Sequence, residues 1–200
     1  MELVLALDAS ASVDGEEFRL QIDGLAAAFA NPLVLREIED LKPGGAVIAV
    51  VQWGGPGQSR LVLPPTLIVT SRDAKAFGFR ASLIRRWLYG SSTSIADGIG
   101  FSQDIIEHSP YQALRAVIDV SGDGQDNGGG DLLGARARAK AAGITINGLA
   151  IMADESDLAE YYRGQVIAGS FAFVEPARDF EDFARAIAEK LQRELRPPET

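Results

Sequence analysis

The sequence predicts an α/β fold: a doubly wound, mostly parallel central sheet flanked by helices, with one antiparallel edge strand. Three observations carry this. Short, unbroken aliphatic runs such as Leu3–Leu7, Ala46–Val51 and Ile144–Ile151 have the length and apolarity of strands buried on both faces. Stretches with apolar residues at helical spacing lie between them, which is the βα alternation of a parallel sheet with right-handed crossovers. The most polar strand exits, Asp8–Ser12, the loop around Thr93 and Ser121–Asp126, mark the carboxyl edge where ligands of such sheets bind. A chain of 200 residues with 46% hydrophobic content can bury one sizeable core, and a single domain over residues 1–200 is expected.

The first strand, Leu3–Asp8, belongs at the centre of the sheet and starts almost at Met1, as expected of a chain whose leader has been removed. Asp14 followed three residues later by Glu17 is a capping box opening a helix. That helix runs through Phe18, Ile22, Leu25, Ala26 and Phe29 and stops near Asn31-Pro32. A short amphipathic stretch, Leu33–Leu41, precedes Lys42-Pro43-Gly44 and a second buried strand, Gly45–Trp53.

Gly54–Gly57 turns the chain, and Arg60–Leu63 with Leu67–Val69 supplies the edge strand, because Pro64-Pro65 bars a central position. Helical spacing covers Asp73–Tyr89, and both Trp53 and Trp87 are read as core packing. After the polar loop Gly90–Ser94, a helix resumes over Ile95–Glu107, ending at the lone histidine, His108. Further elements are a strand Ala113–Val120, a helix Leu132–Ala142, a strand Ile144–Ile151 and a helical stretch around Asp157–Arg163. A last strand, Ser170–Val174, and a helix Asp179–Leu195 finish the fold before Pro197-Pro198.

Composition removes several function classes. A formal charge of −9 lacks the basic footprint of a nucleic-acid binder and disfavours anionic membrane surfaces. Cysteine is absent, so disulfides, thiolate metal sites and cysteine nucleophiles are excluded. No apolar run reaches the roughly 18 residues of a membrane-spanning helix, and the basic stripe Arg136, Arg138, Lys140 reads as a solvated helix face.

The turn after the first strand carries the chemistry. In an extended turn residues i, i+2 and i+4 point the same way, so Asp8, Ser10 and Ser12 converge on one point. A carboxylate with hydroxyls is the all-oxygen donor set that Mg²⁺, Mn²⁺ or Ca²⁺ prefers. A Ser-rich turn with an aspartate for local hydrogen bonds has the same spelling.

Asp8-x-Ser10-x-Ser12, a Gly-Ser-Ser-Thr93 loop some eighty residues on, and Ser121-Gly122-Asp123-Gly124 closing a later strand together resemble the von Willebrand factor type A (vWA) domain along nearly the whole chain. Val117–Gly124, Gly143–Leu149, Tyr161-Tyr162 and Phe171–Val174 look like a bacterial branch of stand-alone, uncharacterised members. The resemblance implies a metal-ion-dependent adhesion site (MIDAS) holding one divalent cation, Mg²⁺ or else Mn²⁺ or Ca²⁺. Ser10 and Ser12 are then direct hydroxyl ligands, Thr93 a ligand directly or through water, and Asp8 and Asp123 act mostly through water. One coordination position stays open for a carboxylate from a partner protein. A monomer with no nucleic-acid partner and no membrane insertion is expected, and, because branch members commonly carry export signals, the resemblance implies a periplasmic or extracellular location.

Two features depart from the family pattern. Gly122 stands where the family has the threonine of Thr-Asp-Gly, which leaves a hydroxyl missing or supplied by Ser121. Asp119 and Asp126 crowd the same region, and Asp119 faces the side of Ser121 and Asp123 by strand alternation, either as an acceptor behind the ligands or as a structural aspartate bonded to backbone.

Two rival readings fit the residues less well. A phosphate-cradling reading of Gly122–Gly130 meets four aspartates and no Lys or Arg between Ala116 and Ala135, which repels a bare phosphate. A metal-dependent phosphohydrolase with Asp8 as nucleophile needs further carboxylates at the metal and a proton-transfer group, and His108 sits at the wrong end of its helix.

Overall fold

The computed structural model describes residues 1–87 and 92–196. Gly90 and Ser91 of the polar loop, the expected helix end at Leu88-Tyr89, and Pro197-Pro198 lie outside the described residues. Six strands form one sheet: β1 (Glu2–Asp8), β2 (Ala46–Trp53), β3 (Ser59–Ile68), β4 (Ala116–Gly122), β5 (Ile144–Ile151) and β6 (Val174–Ala177), in the order β3-β2-β1-β4-β5-β6. All neighbours are parallel except β2 and β3. Every residue of β1 is buried, as its central place between β2 and β4 requires.

Side-chain alternation sorts the two faces. Leu3, Leu5 and Leu7 pack with α1 (Gly15–Ala28), α2 (Pro32–Asp40), α3 (Ser71–Ala81) and α7 (Phe183–Leu195). Ala6, Ile118 and Val120 face α4 (Ile95–Glu107), α5 (Leu132–Ala141) and α6 (Leu158–Tyr161), the last continuing into a π-helical turn, Tyr162–Val166. Connections leave β1 toward β2 on one side while β4 lies on the other, so the switch point falls between β1 and β4, with Asp8 at its carboxyl edge. Among the described residues no helix is long and apolar enough to cross a membrane.

Asp14 caps α1 and Glu17 closes the capping box, as read from sequence. Other boundaries differ. Helix α3 begins at Ser71 because Thr70 is its cap and Asp73 is the reciprocal partner three residues in, and it ends at Ala81 instead of running to Tyr89. Beyond it the buried Gln52 side chain donates to the Arg85 carbonyl (2.7 Å) and accepts from the Trp87 amide (3.0 Å), which occupies backbone groups that a continuing helix would need. Trp87 is therefore 52% exposed, under the Arg60 guanidinium at 4.4 Å, while Trp53 is buried as expected.

Strand β4 starts three residues later than Ala113 and extends through Gly122, paired with Ala150 of β5. Strand β6 is displaced from Ser170–Val174 to Val174–Ala177, since Gly169 (φ 95°) and Phe171 (φ 59°) take left-handed conformations that no strand can accommodate. Its edge position tolerates Pro176. Helix α7 opens at Phe183, after a turn in which Asp179 accepts from the Asp182 amide (2.8 Å). On α5, Arg136 is not a purely solvated charge: it donates to the Ile167 carbonyl at 2.8 Å.

Both expectations for Asp119 are corrected. It faces α7, where the fully buried Lys190 ammonium forms an ion pair with its Oδ1 at 2.8 Å, and among the described residues no backbone amide donates to it. Lys190 also pairs with Glu194 (2.5 Å), and Glu194 accepts from Asn147 of β5 (2.8 Å). Burial first, then the Glu194 charge, pushes the Asp119 carboxyl up to about 7, against the pull of Lys190.

Candidate metal centre

The carboxyl ends of β1 and β4 and the segment entering α4 bring Asp8, Ser10, Ser12, Thr93 and Asp123 into one hydrogen-bonded chain. The Ser10 amide donates to Asp8 Oδ1 at 2.7 Å, which closes the turn that β1 exits into. Ser10 Oγ and Ser12 Oγ are 3.2 Å apart. Ser12 Oγ donates to Asp123 Oδ1 at 2.8 Å, and Thr93 Oγ1 donates to Ser10 Oγ at 3.3 Å. The i, i+2, i+4 spacing thus gathers three side chains from one turn, and the topology delivers the other two.

Residues beyond these five hold the arrangement in place, and sequence reasoning missed Gln21, Arg86 and Asn127 among them. Gln21 of α1 donates to the Asp8 carbonyl (3.0 Å). The Arg86 guanidinium donates to the carbonyls of Ala9 (3.3 Å) and Ser10 (2.6 Å), clamping the turn from the segment after α3. Asn127 accepts from the Thr93 amide (2.8 Å) while the amides of Asn127 and Gly128 both donate to the Thr93 carbonyl at 2.9 Å. Asp126 accepts from the Ala96 amide (3.0 Å) in the first turn of α4, and its own amide donates to the Tyr161 hydroxyl (3.1 Å). The Gly-rich stretch after β4 is thereby the buckle of the Thr93 segment. Ser121 does not supply a hydroxyl to the group, because its Oγ is directed to the Ala6 carbonyl at 3.4 Å.

Electrostatically the group is short of positive charge. Asp8 is fully buried, and burial, followed by the nearby Asp123 carboxylate, pushes its carboxyl up to about 7. Asp123 is raised as well, chiefly by burial, with the Ser12 hydrogen bond opposing. Among the described residues Asp8 Oδ2 has no hydrogen-bond partner. An orphaned buried carboxylate oxygen beside a second carboxylate and three hydroxyls fits a hard divalent cation. Among the described residues no three His, Cys, Asp or Glu side chains gather as a metal cluster, so a cation here relies on hydroxyls as much as on carboxylates.

A cleft of about 270 Å³ opens beside these side chains, lined by Ser12, Thr93, Asp123, Asn127, Asp154 and Glu155. The larger hollow, about 800 Å³, touches Met1, Ile144 and Phe171 near the opposite edge of the sheet, and none of the five side chains lines it. His108 caps the far end of α4, roughly 20 Å along the helix from Thr93 at 1.5 Å per residue.

A family model described as "Protein of unknown function (DUF1194)" matches residues 1–199. No curated protein matches the chain. Among solved structures, proximal thread matrix protein 1 from the mussel byssus, with a zinc-occupied MIDAS motif, superposes with a TM-score of 0.68 at 14% identity, covering 97% of this chain and 45% of that one. The pilus adhesin SpaC from Lactobacillus rhamnosus GG, in its open conformation, gives 0.67 at 12% identity over 98% of this chain and 30% of that one. A von Willebrand factor type A protein from Catenulispora acidiphila gives 0.64 at 18% identity over 97% and 42%. The chain spans less than half the length of each.

Proposed function

The chain belongs to the DUF1194 family of proteins of unknown function and has the vWA fold, and from that premise we propose that it is a metal-ion-dependent protein-binding module. The observation that carries the reading is the single hydrogen-bonded chain through Asp8, Ser10, Ser12, Thr93 and Asp123 at the switch point of the sheet. Ser10 and Ser12 are proposed as direct ligands, Thr93 as a ligand directly or through water, and Asp8 and Asp123 as acting mostly through water. Mg²⁺ suits this hard donor set, and Mn²⁺ or Ca²⁺ is the substitute. Bound there, the cation supplies an electrophilic position for an anionic oxygen from outside, because few of its direct ligands are charged.

The partner group proposed is an Asp or Glu side chain of another protein. With a net charge of −9 and with Asp154 and Glu155 lining the cleft, the protein repels an acidic segment unless a cation inverts the local field. Binding in place of catalysis is proposed because the lone histidine stands at the far end of α4, away from any group it could serve as acid or base. The proposed unit is one domain over residues 1–200, acting as a monomer.

The test is capture of exported proteins from the source organism on immobilised protein, with Mg²⁺ and with EDTA. A partner should bind only with metal, and Thr93→Ala should weaken it more than the exposed control Arg138→Ala. A partner that binds equally in EDTA, on a surface untouched by Thr93→Ala, would make the site structural and the adhesion reading wrong.

A further inference from the structure

Two buried polar atoms with no hydrogen-bond partner among the described residues face the same glycine. One is Asp8 Oδ2 and the other is the hydroxyl of Tyr162, whose side chain is fully buried at the start of the π-helical turn. A Cβ on Gly122 would lie 2.8 Å from Asp8 Oδ2, 2.7 Å from Tyr162 Oη and 3.1 Å from the Trp53 ring. A Cβ on Gly148, one strand over, would lie 2.6 Å from Tyr162 Cδ1. The two glycines, on neighbouring strands, therefore form a slot: Gly148 admits the ring and Gly122 leaves the hydroxyl open to the carboxylate.

A phenylalanine fills that slot equally well, so packing alone gives the hydroxyl no purpose. A buried hydroxyl without a partner is destabilising, and such groups concentrate where an ion or water has yet to be placed. The phenol is a donor at neutral pH, as a tyrosine hydroxyl ordinarily is. Position 122, where the family resemblance places a hydroxyl, holds glycine, and the hydroxyl facing that space comes from Tyr162 instead.

We infer that Tyr162 is a positioning residue for the cation site, its hydroxyl holding Asp8 Oδ2, directly or through one water, so that the carboxylate stays oriented toward the metal. The inference rests on the metal reading above. Residues that orient a ligand in this way typically alter metal affinity tenfold or more.

The test is Tyr162→Phe, read by calorimetric titration with Mg²⁺ and Mn²⁺ and by thermal unfolding in EDTA. The ring still fills the slot, so the metal-free variant should melt at or above the wild-type temperature, while cation affinity falls roughly tenfold. An unchanged affinity overturns the inference. A loss of affinity accompanied by a lower metal-free melting temperature overturns it too, since the hydroxyl would then be structural. If wild-type protein takes up no cation, the metal reading fails first and this inference with it.

Discussion

Lys190→Met should destabilise the protein by about 3–5 kcal/mol, the loss typical when one member of a buried ionic group is removed. Lys190 is the cation between Asp119 and Glu194, and all three side chains are buried. Without it two carboxylates face each other across the β4–α7 junction, with Asn147 donating to Glu194. A triple variant, Lys190→Met with Asp119→Leu and Glu194→Leu, should recover most of the loss, because replacing a whole buried ionic group with apolar residues is often neutral.

The same cluster sets a pH dependence. The Asp119 carboxyl is raised from 3.8 to about 7 in the folded state, so the folded protein holds a proton that the unfolded chain releases. Its contribution is complete below about pH 3.8 and is lost as pH rises through about 7. Asp8 and Asp123 are raised and act with the same sign. Asp182 and Glu39 are lowered by their hydrogen-bonded partners Arg185 and Lys42. Their stabilisation is lost only in more acidic solution, below the pH 5–8 window. Metal-free protein should accordingly resist denaturant better at pH 5 than at pH 8, Asp119→Asn should flatten part of that slope, and the Lys190→Met deficit should be largest at pH 8. Equal denaturation midpoints at both pH values, or a harmless Lys190→Met, would refute this account of the junction.

Adding Mg²⁺ to metal-free protein should raise its melting temperature by roughly 5–10 °C at a hundredfold excess over the dissociation constant. Binding to the native state alone is worth about 2.7 kcal/mol under that condition, and about 1 kcal/mol shifts a domain of this size by 2–4 °C. The physical cause is relief of the Asp8–Asp123 repulsion in a buried place. The shift should disappear in Asp8→Ala. A melting temperature that stays constant from EDTA to saturating Mg²⁺ would count against a native cation site.

What could be read from sequence was what is encoded locally. The aliphatic run before Asp8, the two-residue spacing to Ser10 and Ser12, and the Asp14–Glu17 box each declare themselves within one element. Thr93 and Asp123 were reached through family resemblance, and the structure places them within one hydrogen bond of Ser10 and Ser12. Arg86, Gln21 and Asn127 carry no local signal, because each acts through contacts between elements distant in sequence, and Tyr162 enters the sequence reading only through the resemblance. The acidic, Gly-rich spelling of Asp126–Gly130 was a signal for Asn127, but only its loop character was legible.

Strand alternation sets Asp119 on the side of Ser121 and Asp123, yet its partner Lys190 lies on α7, about seventy residues on. The end of α3 and the start of β6 differ from the sequence reading for a similar reason. Gln52 competes for the backbone after Ala81 from another strand, and the left-handed conformation of Phe171 is a tertiary imposition that no local propensity announces.

The central claim is one divalent cation held by Ser10, Ser12 and Thr93 with Asp8 and Asp123 in support, and calorimetric titration of metal-free protein with Mg²⁺ or Mn²⁺ tests it most directly. The expected result is a single site in wild-type protein and none in an Asp8→Ala variant that folds normally. The contradicting result is the absence of a saturable site, or a folded Asp8→Ala variant that binds the cation as tightly as wild type.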